Sequence, residues 1–187
     1  MGIIHDGTLQ ADYRNGYYTE IIRINNCDSI QRIELPNGID VLRQSTIHRC
    51  RSLREIIFGT GLSTIEHDAL CECNSLKHII LPNGLFDLDY SNQLSFTTIN
   101  LPESLRNVSL GDSNSLLAIN IEEGWVAPHL WLTESRSLSL SALDKFANRL
   151  GMASSPTMLY FSQEVVNKMW GETITTLTLK NYTVIGW

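Results

Sequence analysis

The chain has 187 residues, 43% of them hydrophobic, and a formal net charge of −6 with its five histidines neutral. That balance offers no basic stripe to displace counterions from a nucleic acid. Its apolar runs fall far short of the roughly 20 residues that span a bilayer, so neither nucleic-acid binding nor membrane insertion is expected. The opening Met1-Gly2-Ile3-Ile4-His5-Asp6 lacks a basic then apolar leader pattern, and no signal peptide is expected in this sequence.

Residues 1–26 follow no period. They carry a turn signal at Asn15-Gly16 and lead through Glu20-Ile21-Ile22-Arg23-Ile24 into Cys27. They are expected to form an N-terminal capping unit, because the first unit of a stack otherwise exposes its core edge.

Residues 27–124 repeat. Cys27-Asp28-Ser29-Ile30, Cys50-Arg51-Ser52-Leu53 and Cys73-Asn74-Ser75-Leu76 open three repeats 23 residues apart. Each continues as x-x-Ile-x-Leu/Phe, and two shorter repeats without cysteine follow at a spacing of 20, as Phe96/Ile99/Leu101 and Leu116/Ile119/Ile121. A fixed period in this range means stacked units that share one core. The last two apolar residues of each motif are two apart, as in a short strand with both pointing inward. The five motifs are therefore expected to form one parallel sheet. Turns follow at Pro36-Asn37-Gly38, Gly59-Thr60-Gly61, Pro82-Asn83-Gly84, Pro102-Glu103-Ser104 and Glu122-Glu123-Gly124. A second apolar pair comes next in four repeats (Ile39/Leu42, Leu62/Ile65, Leu85/Leu88 and Leu105/Val108), and its spacing of three suits a short turn or loose coil closing the far side.

Alternation turns one set of residues outward along the motif strands: Arg32, Glu34, Glu55, Ile57, His78, Ile80, Thr98, Asn100 and Asn120. Exposed aliphatics side by side at Ile57 and Ile80 suit a contact site for a protein partner. These nine residues are the candidate binding face.

Residues 125–187 break the period and are expected to form a C-terminal cap. Trp125–Leu132 reads as a strand or link. Ser139 or Ser141 can cap a helix through Leu143, Phe146 and Leu150, with Gly151 after it. Met158–Phe161 reads as a strand, and Ser162 as the cap of a helix over residues 163–170. The β-branched stretch from Thr173 to Leu179 reads as helix or strand, and Tyr182–Ile185 as a final strand.

No phosphate loop, nucleophile elbow or His-Glu-x-x-His stands in the sequence. No catalytic residue, cofactor or metal is expected. Cys27, Cys50 and Cys73 share one repeat position and should stack as buried, reduced thiols. His67, Cys71 and Cys73 are the sharpest metal alternative, with three candidate ligands. Asp87, Asp89 and Asp112 read as solvated turn carboxylates, and His78 with Glu55 as a surface pair.

The motif Cys-x-Ser-Leu-x-x-Ile-x-Leu-Pro-x-Gly-Leu-x-x-Ile resembles the BspA-like leucine-rich repeat class of bacterial proteins, of Bacteroidetes type, over roughly residues 20–124. The C-terminal segment is similar to the end of many such proteins, which favours a helix before the final strand. The resemblance implies an α/β fold, a right-handed solenoid with a parallel β-sheet and a small helix/strand cap. It also implies a non-enzymatic, adhesion-type interaction module, at the cell surface or secreted, that binds a protein or surface ligand. A structural spacer or assembly component, including a phage-derived one, is the alternative.

Overall fold

A computed structural model describes residues 10–14, 17–25, 28–90, 96–111, 113–169 and 171–187. Asn15-Gly16, Cys27, Asp112 and Trp170 lie outside the described residues. The described residues begin with an antiparallel hairpin of β1 (Gln10–Arg14) and β2 (Tyr17–Asn25). The first repeat contributes β3 (Arg32–Glu34), β4 (Val41–Leu42) and β5 (Ile47–His48). The second contributes β6 (Glu55–Ile57), β7 (Thr64–Ile65) and β8 (Leu70–Cys71). The third contributes β9 (Asp87–Asp89), the fourth β10 (Thr98–Leu101) and β11 (Asn107–Ser109), and the fifth β12 (Ala118–Ile121), before β13 (Leu130–Leu132). Then come α1 (Leu140–Arg149), β14 (Thr157–Phe161), α2 (Gln163–Lys168), α3 (Glu172–Leu179) and β15 (Tyr182–Gly186).

Every repeat strand pairs in parallel with its counterpart one repeat away, on three sides of the stack. The motif strands pair as β3 with β6 and β10 with β12, placing Ile33 against Ile56 and Ile99 against Ile119. The third repeat adds only a bridge from Ile80 to Asn100, so the expected five-stranded motif sheet is interrupted between Ile57 and Ile80. The continuous sheet lies on another side. It has seven strands in the order β15-β14-β13-β11-β9-β7-β4, all parallel. The far-side pairs expected to be short turn or loose coil are strands here, because Leu42, Ile65, Leu88 and Val108 stand in register with one another and with Leu130 and Leu159, and each fills the interior while its neighbours point out. A third ladder, β2-β5-β8, aligns Ile24, Ile47 and Leu70, another spacing of 23 residues.

These inward rows merge into one hydrophobic cluster that runs from Ile24 to Tyr182. The repeats approach closely at their turns. A Cβ on Gly59 would lie 2.3 Å from the Pro36 carbonyl oxygen, so only glycine fits there. The turns also lock to each other: Thr60 N–H donates to Asn37 Oδ1 at 2.8 Å, and Gly38 N–H to the Thr60 carbonyl at 2.9 Å.

The helices form where their caps allow. Ser139 Oγ accepts from Ala142 N–H at 3.2 Å, and α1 buries Leu143, Phe146 and Ala147 as it packs against β12. Ser162 caps α2 in the same way. Glu172–Leu179 is helical despite its threonines. Thr173 Oγ1 bonds the Asp144 carboxylate on α1, Leu177 is buried, and the hydroxyls of Thr175 and Thr178 bond back to carbonyls four residues earlier. Lys180 Nζ then covers the C-terminal carbonyls of α1 at Ala147, Asn148 and Leu150, 2.5–3.0 Å away.

Candidate functional site

The motif strands are three or four residues long, and alternation alone decides what they present. In β6 the pattern is exposed, buried, exposed. Glu34 lies opposite Ile57, Ile80 opposite Asn100, and Asn100 opposite Asn120, so the outward row runs in two registered stretches, broken between Ile57 and Ile80. Ile80 is 80% exposed and Ile57 38%. The second outward row carries Arg32, Glu55, His78 and Thr98, of which Thr98 is half-buried beside Ala118 and the others are exposed. Arg32 pairs with Glu34 and, at 3.2 Å, with Glu55. Glu55 is thus engaged on its N-terminal side by Arg32, and the expected partner His78 is not the one it meets. Asn120 Nδ2 donates to Asn100 Oδ1 at 2.9 Å.

Two adjoining cavities open along this row. One, of about 430 Å³, is lined by Ile80, Asn100, Glu103 and Glu122 among others. The next, of about 260 Å³, runs from Asn100 and Asn120 to Glu122, Lys145 and Arg149. Lys145 and Arg149 are one turn apart on α1 and reach the face because α1 packs on β12. Sequence reasoning missed both. Their spacing of four places both on one side of a helix, but no local pattern sets that side beside β12.

A second polar cluster lies on the third side of the stack. The ligand atoms of His48, Cys71 and Glu72 fall within 4.8 Å of one another, with His48 rather than His67 as the imidazole. Glu72 accepts from Arg49 Nε at 3.3 Å, contacts His48 Nε2 at 3.3 Å and meets Arg51 at 3.5 Å, and the Arg49 hydrogen bond leads in holding its pKa below the usual range. Burial, with Asp68 and Glu72 nearby, raises Cys71 above the usual thiol value. A metal needs the thiolate and a vacant carboxylate, so this cluster reads as an ion-pair network. Cys50 and Cys73 are buried thiols, as expected; the Cys50 thiol bonds Cys73 and lowers its pKa against the effect of burial. On the seven-stranded sheet Asp87 bonds the Asn107 amide, and Asp89 stands opposite Ser109.

Residues 24–112 match, in six copies, the family described as BspA type Leucine rich repeat region. The repeat region of this chain is of the BspA leucine-rich type. No curated protein and no solved structure matches the chain. The match begins at Ile24, the residue where β2 joins the ladder to β5. In leucine-rich repeat proteins, stacked units build extended surfaces that bind other proteins. Among the described residues no helix is long and apolar enough to cross a membrane.

Proposed function

We propose that this chain is a non-enzymatic, adhesion-type interaction module that binds a protein or surface ligand through its motif-strand face. In this reading residues 27–124 form a right-handed solenoid, with residues 1–26 and 125–187 as its caps. The observation that carries it is the outward row Glu34, Ile57, Ile80, Asn100 and Asn120, with an isoleucine 80% exposed at its centre. A β-branched aliphatic left in water is a cost that a partner removes; covering one contributes on the order of 1–3 kcal/mol before ordering costs. The mixed charge of Arg32, Glu34 and Glu55 suits a protein rather than a polyanion.

The test is the double substitution Ile57→Glu/Ile80→Glu. The melting temperature should stay within about 2 °C of the parent, since neither residue is core. Retention of the native partner, captured from the host and identified by mass spectrometry, should fall at least tenfold. If partner retention survives, this face is not the contact surface and the spacer reading gains.

A further inference from the structure

We propose that the pocket between β12 and α1 receives a carboxylate side chain of an extended, acidic peptide segment of the partner. This inference rests on the strand face being the contact surface and names the chemistry at its α1 end.

The pocket has about 260 Å³ of space and two cations at one wall, Lys145 and Arg149. Neither forms an ion pair among the described residues, and Lys145 is exposed. Among the described residues, the buried Arg149 Nε–H has no acceptor. A carboxylate pairs with a planar guanidinium, and with an ammonium beside it, through charge-assisted hydrogen bonds. The chain as a whole carries a net charge of −6, so an anion drawn here answers to the local pair and not to the overall field.

The neighbouring residues favour a peptide as its carrier. Asn120 Nδ2 donates to Asn100 Oδ1, which leaves Asn100 with its Nδ2 donors and Asn120 with its Oδ1 acceptor. That is one donor and one acceptor side by side, the complement of a peptide unit's C=O and N–H. The adjoining cavity continues to Ile80 and carries Glu103 and Glu122, and Glu122 lines both spaces. The groove is therefore basic at the α1 end and acidic at the Pro102 end. A segment lying along it puts its carboxylate over Lys145 and Arg149 and keeps carboxylates away from Glu103 and Glu122.

The experiment titrates the isotopically labelled full chain with capped tetraglutamate, capped tetraglutamine and inorganic phosphate, following side-chain resonances. Tetraglutamate should shift the Arg149 Nε–H and the Asn100 and Asn120 amide signals to saturation, and tetraglutamine should leave them in place. Lys145→Gln, at an exposed position, should weaken tetraglutamate at least tenfold, whereas Lys77→Gln should change it less than twofold. An unchanged affinity in Lys145→Gln, or no saturable shift, overturns the proposal. Phosphate binding at equal or lower concentration overturns the peptide as carrier. A failed titration while Ile57→Glu/Ile80→Glu still loses the partner removes the pocket alone. A successful titration while that variant keeps the partner removes the strand-face reading alone.

Discussion

Single side chains in this protein are set by what the stack leaves them to bond. Tyr90 is buried, its hydroxyl donates to the Leu70 carbonyl at 2.9 Å, and it leans on Phe96 with ring centroids 5.5 Å apart. Burial above all, with the nearby Cys73, Cys71 and Asp68, raises its pKa well above the usual 10. The sign follows directly. An unfolded tyrosine ionises near pH 10 and the folded one later, so the Tyr90 contribution is intact below about pH 10 and is lost as pH rises beyond it. Tyr90→Phe should cost about 1 kcal/mol at neutral pH through the lost hydrogen bond. It should also flatten the fall of stability between about pH 9 and 11, as read by urea melts at each pH. A parallel fall in parent and variant would show that Tyr90 is not the titrating group.

At the scale of elements, the strands are short and the turns carry the spacing. Gly59→Ala should lower the urea midpoint by the equivalent of about 1–3 kcal/mol, since its Cβ would press into the Pro36 backbone. Gly84→Ala is the internal control. Its Cβ would meet nothing nearer than the Leu62 oxygen at 4.0 Å, so the midpoint should barely move. Comparable losses at both positions would mean that flexibility, not close approach, sets the cost.

Much of this was legible beforehand. The 23-residue period, the inward pairing of Ile33 with Ile56, the Ser139 and Ser162 caps and the strand at β14 are local patterns that packing only confirms. The seven-stranded sheet was not, because two-residue strands such as Val41–Leu42 carry too few positions for a period of two to show. The ladder through Ile24, Ile47 and Leu70 was missed although its spacing matched, because Ile24 stood outside the assumed array. The α3 segment shows tertiary contacts with α1 and β15 outweighing threonine's preference for strands. On the face, alternation identified the outward row, but Lys145 and Arg149 arrive through a contact between elements that no local pattern encodes.

Over the whole molecule, the C-terminal segment completes surfaces that the repeats leave open. β13 extends the seven-stranded sheet from β11, β14 and β15 follow, and α1 lies on β12. Deleting residues 125–187 should uncover the last repeat, including Leu116, Ile119 and Ile121, all at most 5% exposed. The shortened chain should aggregate or lose its cooperative melt, as followed by light scattering and circular dichroism. A soluble monomer that melts cooperatively would show the segment to be independent of the repeats.

The parallel ladders have a mechanical consequence. Their hydrogen bonds join each repeat to the next, so a load that draws the two ends of the stack apart acts along those bonds and peels one turn of chain at a time. Each released turn of 23 residues pays out roughly 80 Å of slack at about 3.5 Å per residue. A protein held at one end and gripping its ligand at the other would then yield in steps under pull, absorbing tension while the remaining repeats keep their shape.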